Sequence, residues 1–119
     1  MNLESKQQGD ISDFGAVREA VTGCSGLIHL SAISRVRDGF ENPLRCIATN
    51  IMGTGHVLEA ARHAGHPCTV VVVTSDKCYE NRGWVWGYRE NDPLGGHDPY
   101  SMSKAAAELV TESWRRSYF

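Results

Sequence analysis

Tyr100 and Lys104 stand four residues apart in the run Tyr100-Ser101-Met102-Ser103-Lys104. On a helix, positions i and i+4 share a face, so the phenol and the ammonium can meet in one site. A positive charge beside a tyrosine stabilises phenolate and lowers its pKa from about 10 toward working pH. Such a phenolate can take the proton of a hydroxyl whose carbon gives hydride to a nicotinamide. The spacing alone equally suits a surface lysine beside a half-buried tyrosine. A second group, Thr74-Ser75-Asp76-Lys77, follows the run Val70-Val71-Val72-Val73. In open parallel sheets, ligands bind outside the carboxyl ends of strands. There a serine can donate to a substrate oxygen, and Asp76 and Lys77 would supply an acid and a base. The plainer alternative is a solvated Asp-Lys turn.

The elements that must position these residues alternate between helix and strand. Phe14, Val17 and Val21 fall at helical spacing, with Asp13 to cap the helix and Gly23 to stop it. Residues 27–31 read as a short buried strand and residues 32–42 as a loop. Asn42 and Pro43 suit the start of a long helix whose face is Leu44, Ile47, Ile51, Leu58 and Ala61, ending at Gly65. Gly53 and Gly55 weaken that helix by roughly 1 kcal/mol each relative to alanine. Their expected return is close approach to a neighbouring element. The valine run, β-branched and apolar throughout, predicts a parallel strand covered on both faces. Residues 76–99 read as a loop broken by Gly83, Gly87, Pro93, Gly95 and Gly96. Long irregular stretches in compact domains are usually functional. A final helix starts near Asp98-Pro99 and runs through Lys104, Ala105, Leu109 and Trp114.

This pattern predicts an α/β fold, a partial Rossmann-like, doubly wound parallel sheet. Only two strands are legible, so the chain reads as an interior portion of a larger domain lacking its first βαβ unit. Residues 1–8 are expected to be a leader or disordered tail, and residues 9–119 the central part of the domain, with the residues that could do chemistry.

Composition narrows the function classes. The 119 residues are 41% hydrophobic and 22% charged, as in an ordinary soluble domain. A formal charge of −2 provides no basic field for nucleic acid. No apolar run is long enough to span a bilayer, and a cytoplasmic location is expected. Cys24, Cys46, Cys68 and Cys78 form no CxxC pair and read as buried or half-buried thiols. His56, His63 and His66 lack a carboxylate at ligand spacing, so no metal site is expected.

The motifs together resemble the CDP-glucose 4,6-dehydratases, within the extended short-chain dehydrogenase/reductase superfamily. The resemblance lies in Ser75-Asp76-Lys77, Cys78-Tyr79-Glu80-Asn81, Trp84 and Trp86, Leu94-Gly95-Gly96, Asp98-Pro99 and the Tyr100–Lys104 motif. Upstream, Gly9-Asp10-Ile11 resembles the segment lining an adenine pocket. His29-Leu30-Ser31-Ala32 resembles the cofactor loop. Thr49-Asn50-Ile51-Met52-Gly53-Thr54 resembles a helix whose asparagine braces the sheet. The loop departs from the family at Ser31-Ala32-Ile33-Ser34, where relatives usually carry Ala-Ala-Gln-Pro.

The resemblance implies NAD as cofactor, held by Asp10, Ile11, Leu30, Ser31, Ala32, Tyr100 and Lys104. It implies a nucleotide-sugar substrate, CDP-glucose in this branch, and homodimerisation of the full-length enzyme. Tyr100, assisted by Lys104 and Ser75, would oxidise C4 of the glucose ring as hydride passes to NAD. Lys77 would then remove the C5 proton while Asp76 assists loss of the C6 hydroxyl. A base role for Lys77 requires a neutral fraction, hence burial or a cationic neighbour. Related dTDP-glucose enzymes usually carry glutamate there, and a 4-epimerase would carry small residues in place of Asp76 and Lys77. The glycine-rich turn that holds a pyrophosphate does not occur in these residues. The competing reading is therefore a truncated product without turnover.

Overall fold

The computed structural model describes residues 7–119. Apart from Gln7 and Gln8, the segment expected to be a leader or tail lies outside the described residues.

The first helix, α1 (Phe14–Val21), is capped by Asp13, whose carboxylate accepts from the amides of Gly15 and Ala16. Gly23, at φ +80°, then turns the chain in a conformation that side chains rarely adopt. Strand β1 (Gly26–His29) pairs in parallel with β2 (Thr69–Val72), Gly26 opposite Thr69 and His29 opposite Val72. Val17 and Val21 of α1 form the core with Val57 and Ala60 from the crossover, against Leu27 and Val70 of the sheet. The opposite sheet face stays open, with Ile28 67% and Val71 50% exposed. The valine strand, expected to be covered on both faces, is covered on one by the described residues.

The crossover differs from the single long helix expected. It comprises α3 (Pro43–Ile47), a π-helical turn (Ala48–Met52) and α4 (Gly53–Arg62). Pro43 and Asn42 start α3 as expected, the Asn42 side chain accepting from the Arg45 amide. Two contacts accompany the π turn. The Thr54 hydroxyl donates to the Asn50 carbonyl at 2.7 Å. A Cβ on Gly53 would lie 2.8 Å from Ile11. Single π turns inside α-helices are frequent at functional sites. Gly55 faces open space, so the close approach expected of both glycines holds for Gly53 alone.

The loop expected over residues 32–42 contains a short helix, α2 (Val36–Glu41). Its sequence is too charged and too short to show an apolar period. Gly39 lets it press on the last helix, since a Cβ there would come 3.0 Å from the Tyr100 amide nitrogen.

After β2 comes a 3₁₀ turn (Asp76–Cys78) and an irregular stretch pinned by an antiparallel bridge between Tyr79 and Leu94. The last helix, α5 (Pro99–Tyr118), starts where Asp98-Pro99 implies, with the Asp98 carboxylate accepting from the Ser101 amide at 3.0 Å and its hydroxyl at 2.6 Å. Glu59 of α4 ties it down near its end, accepting from the Trp114 indole at 3.2 Å and from Arg62 at 2.6 and 2.9 Å. The four thiols are free, Cys46 and Cys78 buried, Cys24 and Cys68 half-buried. His56 bonds the Ile11 carbonyl and His63 the Glu59 carboxylate. Among the described residues no helix is long and apolar enough to cross a membrane.

Glu59 titrates at about 2, lowered first by the Arg62 hydrogen bond and then by Trp114 and His63. A carboxylate depressed from 4.5 contributes stability that is complete above that pH and fades as pH falls toward 2. Urea unfolding of Glu59→Gln should accordingly lose less stability between about pH 7 and about pH 3 than wild type does. Removing the α5 cap with Asp98→Ala should cost about 1 kcal/mol in the same assay.

Candidate functional site

The first two turns of α5 bury Tyr100 and Lys104, each 7% exposed, on one face of the helix. Ser103 between them is fully buried and donates to the Tyr100 carbonyl at 2.7 Å. It also accepts from the Asn50 amide at 2.8 Å, which bolts α5 to the π turn. Asn50 clips the backbone of Ile33 at both ends, accepting from its N–H at 2.8 Å and donating to its carbonyl at 3.0 Å. The resemblance implied that this asparagine braces the sheet; here it braces the loop leaving β1.

His29, at the end of β1, stands 3.0 Å from the Thr54 hydroxyl. That hydroxyl gives its proton to the Asn50 carbonyl, so it can only accept from His29. The network therefore assigns the histidine proton to Nε2. Burial lowers the His29 pKa, and the charge of Lys104 lowers it further. Burial likewise lowers the pKa of Lys104, opposed more weakly by Cys46. Among the described residues neither the Tyr100 hydroxyl nor the Lys104 ammonium has a hydrogen-bond partner, and neither tip is sealed from solvent.

Beyond β2, Ser75 caps the 3₁₀ turn, accepting from the Lys77 amide at 3.2 Å, and its hydroxyl donates to Asp76 at 3.1 Å. Asp76 and Lys77 are exposed, so the burial that a lysine base requires is met here by Lys104 and not by Lys77. Both line a cavity of about 360 Å³ with Asn81, Ser101 and the stacked rings of Tyr79 and Tyr88, 5.2 Å apart. Ser75, Tyr100 and Lys104 do not line it. The two groups singled out from the sequence therefore occupy adjoining elements, the 3₁₀ turn and α5, without sharing this cavity.

On the other side, a cavity of about 680 Å³ runs along α1 and β1. Asp10, Ile11, Leu30 and Ser31 line it; half-buried Ala32 does not, nor do Tyr100 and Lys104. Asp10 is lowered below its usual range by hydrogen bonds from the Ser12 amide and hydroxyl, at 2.9 and 2.7 Å. An oriented carboxylate beside apolar walls fits a flat heterocycle with hydrogen-bond donors, such as adenine.

Sequence reasoning missed three features: the Tyr79–Tyr88 stack, Gly39 beneath Tyr100, and Glu108, which accepts from the Thr74 hydroxyl. The continuation of the Tyr100–Lys104 stripe by one helical turn would have found Glu108.

A parallel strand pair with a tyrosine and a lysine on the helix beside its carboxyl end is a Rossmann-type arrangement. Residues 3–119 match the family described as GDP-mannose 4,6 dehydratase, and the chain belongs to that family. It is 50% identical to the CDP-glucose 4,6-dehydratase of Salmonella typhimurium across 99% of this chain and 33% of that protein. The dTDP-glucose 4,6-dehydratase of Streptomyces venezuelae, solved with NAD bound, superposes with a TM-score of 0.83 at 31% identity. That match covers 92% of this chain and 34% of the solved one. The UDP-glucose 4-epimerase of Thermotoga maritima, with TM-score 0.86 at 21% identity over 99% of this chain and 39% of its own, shares the fold. The chain spans about a third of the length of the curated relatives it matches.

Asn50→Ala should strand both polar groups of Ile33 and remove the bond that the Ser103 hydroxyl accepts. A loss of about 3 kcal/mol in urea unfolding is expected. Gly96→Ala would place a Cβ 2.4 Å from the Met102 amide nitrogen, and should loosen the first turn of α5, seen as faster amide exchange at Ser101 and Met102.

Proposed function

We propose that this chain carries the catalytic centre of an NAD-dependent nucleotide-sugar 4,6-dehydratase acting on CDP-glucose. The observation that carries this reading is the Tyr100–Lys104 pair, buried at its base and free at its tips, beside Ser75-Asp76-Lys77 at the exit of β2. Likeness to the Salmonella CDP-glucose enzyme supports the choice of substrate. NAD fits the cavity lined by Asp10, Ile11, Leu30 and Ser31, with Ala32, Tyr100 and Lys104 completing its site. When bound, it supplies hydride acceptance from C4 of the sugar and return at C6.

Tyr100 takes the proton of the C4 hydroxyl, with the Lys104 charge favouring the phenolate and Ser75 donating to the same oxygen. Once C4 is a ketone, the neighbouring C5 proton becomes acidic. Lys77 takes that proton, and Asp76 donates one to the departing C6 hydroxyl, which leaves as water. Lys77 has to lose its own proton first, which a substrate covering this exposed turn promotes by excluding water. The enzyme works in the cytoplasm as a homodimer joined through α5 and the crossover helices. Leu44, Met52 and Leu109, exposed on those elements, support that arrangement.

The whole protein containing this chain, mixed with NAD and CDP-glucose, should form a 4-keto-6-deoxy sugar nucleotide. Tyr100→Phe should slow it at least about a hundredfold. A C4 epimer as product would favour the epimerase reading. No product, with NAD binding no tighter than about 1 mM, would leave the chain an inert member of the family.

A further inference from the structure

Asp76 and Lys77 are exposed, and the hydrogen bonds of their turn are almost all local. Ser75 bonds Asp76 and the Lys77 amide, and the amides of Cys78 and Tyr79 bond back to Ser75 and Asp76 at 3.0 and 3.3 Å. The next contacts, Gly95 to Cys78 and Glu80 to Pro93, tie the turn to the loop that follows it. None of these sets the distance from the turn to Tyr100 and Lys104. Yet the turn packs closely on α5, and general acid–base chemistry at adjacent carbons requires a fixed geometry.

One bond spans that gap. The Thr74 hydroxyl, two residues past β2, donates to the Glu108 carboxylate on α5. Among the described residues it is the single side-chain hydrogen bond between residues 74–79 and α5. Glu108 lies one helical turn beyond Lys104, so Tyr100, Lys104 and Glu108 form one stripe. The bond to Thr74 directs the carboxylate toward the turn, and its charge raises the pKa of Cys78, after burial, and of Tyr79, after burial and Cys78. Both bonded residues are half-buried, where a charge-assisted hydrogen bond keeps more of its strength than at an open surface.

We infer that Glu108 is a positioning residue: through Thr74 it fixes the Ser75-Asp76-Lys77 turn against the helix bearing Tyr100 and Lys104. One helix thereby carries two groups of the site and the anchor for the other three. The catalytic part of this inference rests on the dehydratase reading; the tether itself does not.

Thr74→Val, Glu108→Ala and Glu108→Gln test it, in the whole protein containing this chain. Thr74→Val is nearly isosteric and removes only the donor, whereas Glu108→Gln keeps an acceptor oxygen and removes the charge. Thr74→Val and Glu108→Ala should each speed amide exchange at Cys78 and Tyr79 at least about fivefold while leaving Met102 unchanged. The double variant should be no worse than either single one, and Glu108→Gln should stay near wild type. With CDP-glucose and NAD, kcat should fall at least about tenfold in Thr74→Val and Glu108→Ala, with KM within about twofold, and Glu108→Gln should keep most of its turnover. Wild-type exchange rates in Thr74→Val would overturn the tether, as would a Glu108→Gln variant no better than Glu108→Ala. The expected exchange pattern in a protein without turnover would uphold the tether and sink the dehydratase reading instead.

Discussion

Asn50 has no solvent contact to speak of and still makes use of its whole amide. It holds Ile33 by two backbone bonds and Ser103 by a third, so the loop leaving β1, the π turn and α5 meet at one side chain. A buried amide left unpaired would cost more than the bonds return, which makes the junction an all-or-none geometry. The π turn is part of that geometry. The Thr54 hydroxyl, just past it, donates to the Asn50 carbonyl and orients His29 at the end of β1. The first turns of α5, and with them Tyr100 and Lys104, inherit their place from this junction.

Burial sets Lys104 apart from Lys77. Lys104 is enclosed, its pKa lowered by desolvation, and its charge adds to the burial that lowers the pKa of His29. Lys77 is exposed and lines a cavity that Lys104 does not. An enclosed cation suits electrostatic support of a phenolate, whereas an exposed amine becomes a base only when something covers it. The open sheet face at Ile28 and Val71 belongs to the same picture, an apolar surface that the described residues leave without a cover.

Helix starts were legible because capping is local chemistry. Asp13, Asn42-Pro43 and Asp98-Pro99 each begin a helix where their residue types say one should begin. The parallel pairing of the two strands followed from the valine run and the crossover between them. The π turn was not legible, since it accompanies Ile11 seated on Gly53, a contact between residues far apart in the chain. Helix α2 escaped for a similar reason: Gly39 lowers its propensity and is there to let Tyr100 approach. For the site, the residues of both groups were recognisable by type and spacing. That Asp76 and Lys77 line a cavity which Ser75, Tyr100 and Lys104 do not, and that Glu108 anchors one group to the other, depend on distances that spacing along the chain does not encode.

The proposed function has the Asp76-Lys77 turn and Tyr100 act on the same sugar, with NAD as the hydride acceptor. The most direct measurement is hydrogen incorporation into the product formed from CDP-glucose and NAD in deuterated water by the whole protein containing this chain. Ketone-activated elimination predicts deuterium from solvent at C5 of a 6-deoxy product. A 6-deoxy product without deuterium at C5, or a C4 epimer that keeps its C6 hydroxyl, would contradict the account.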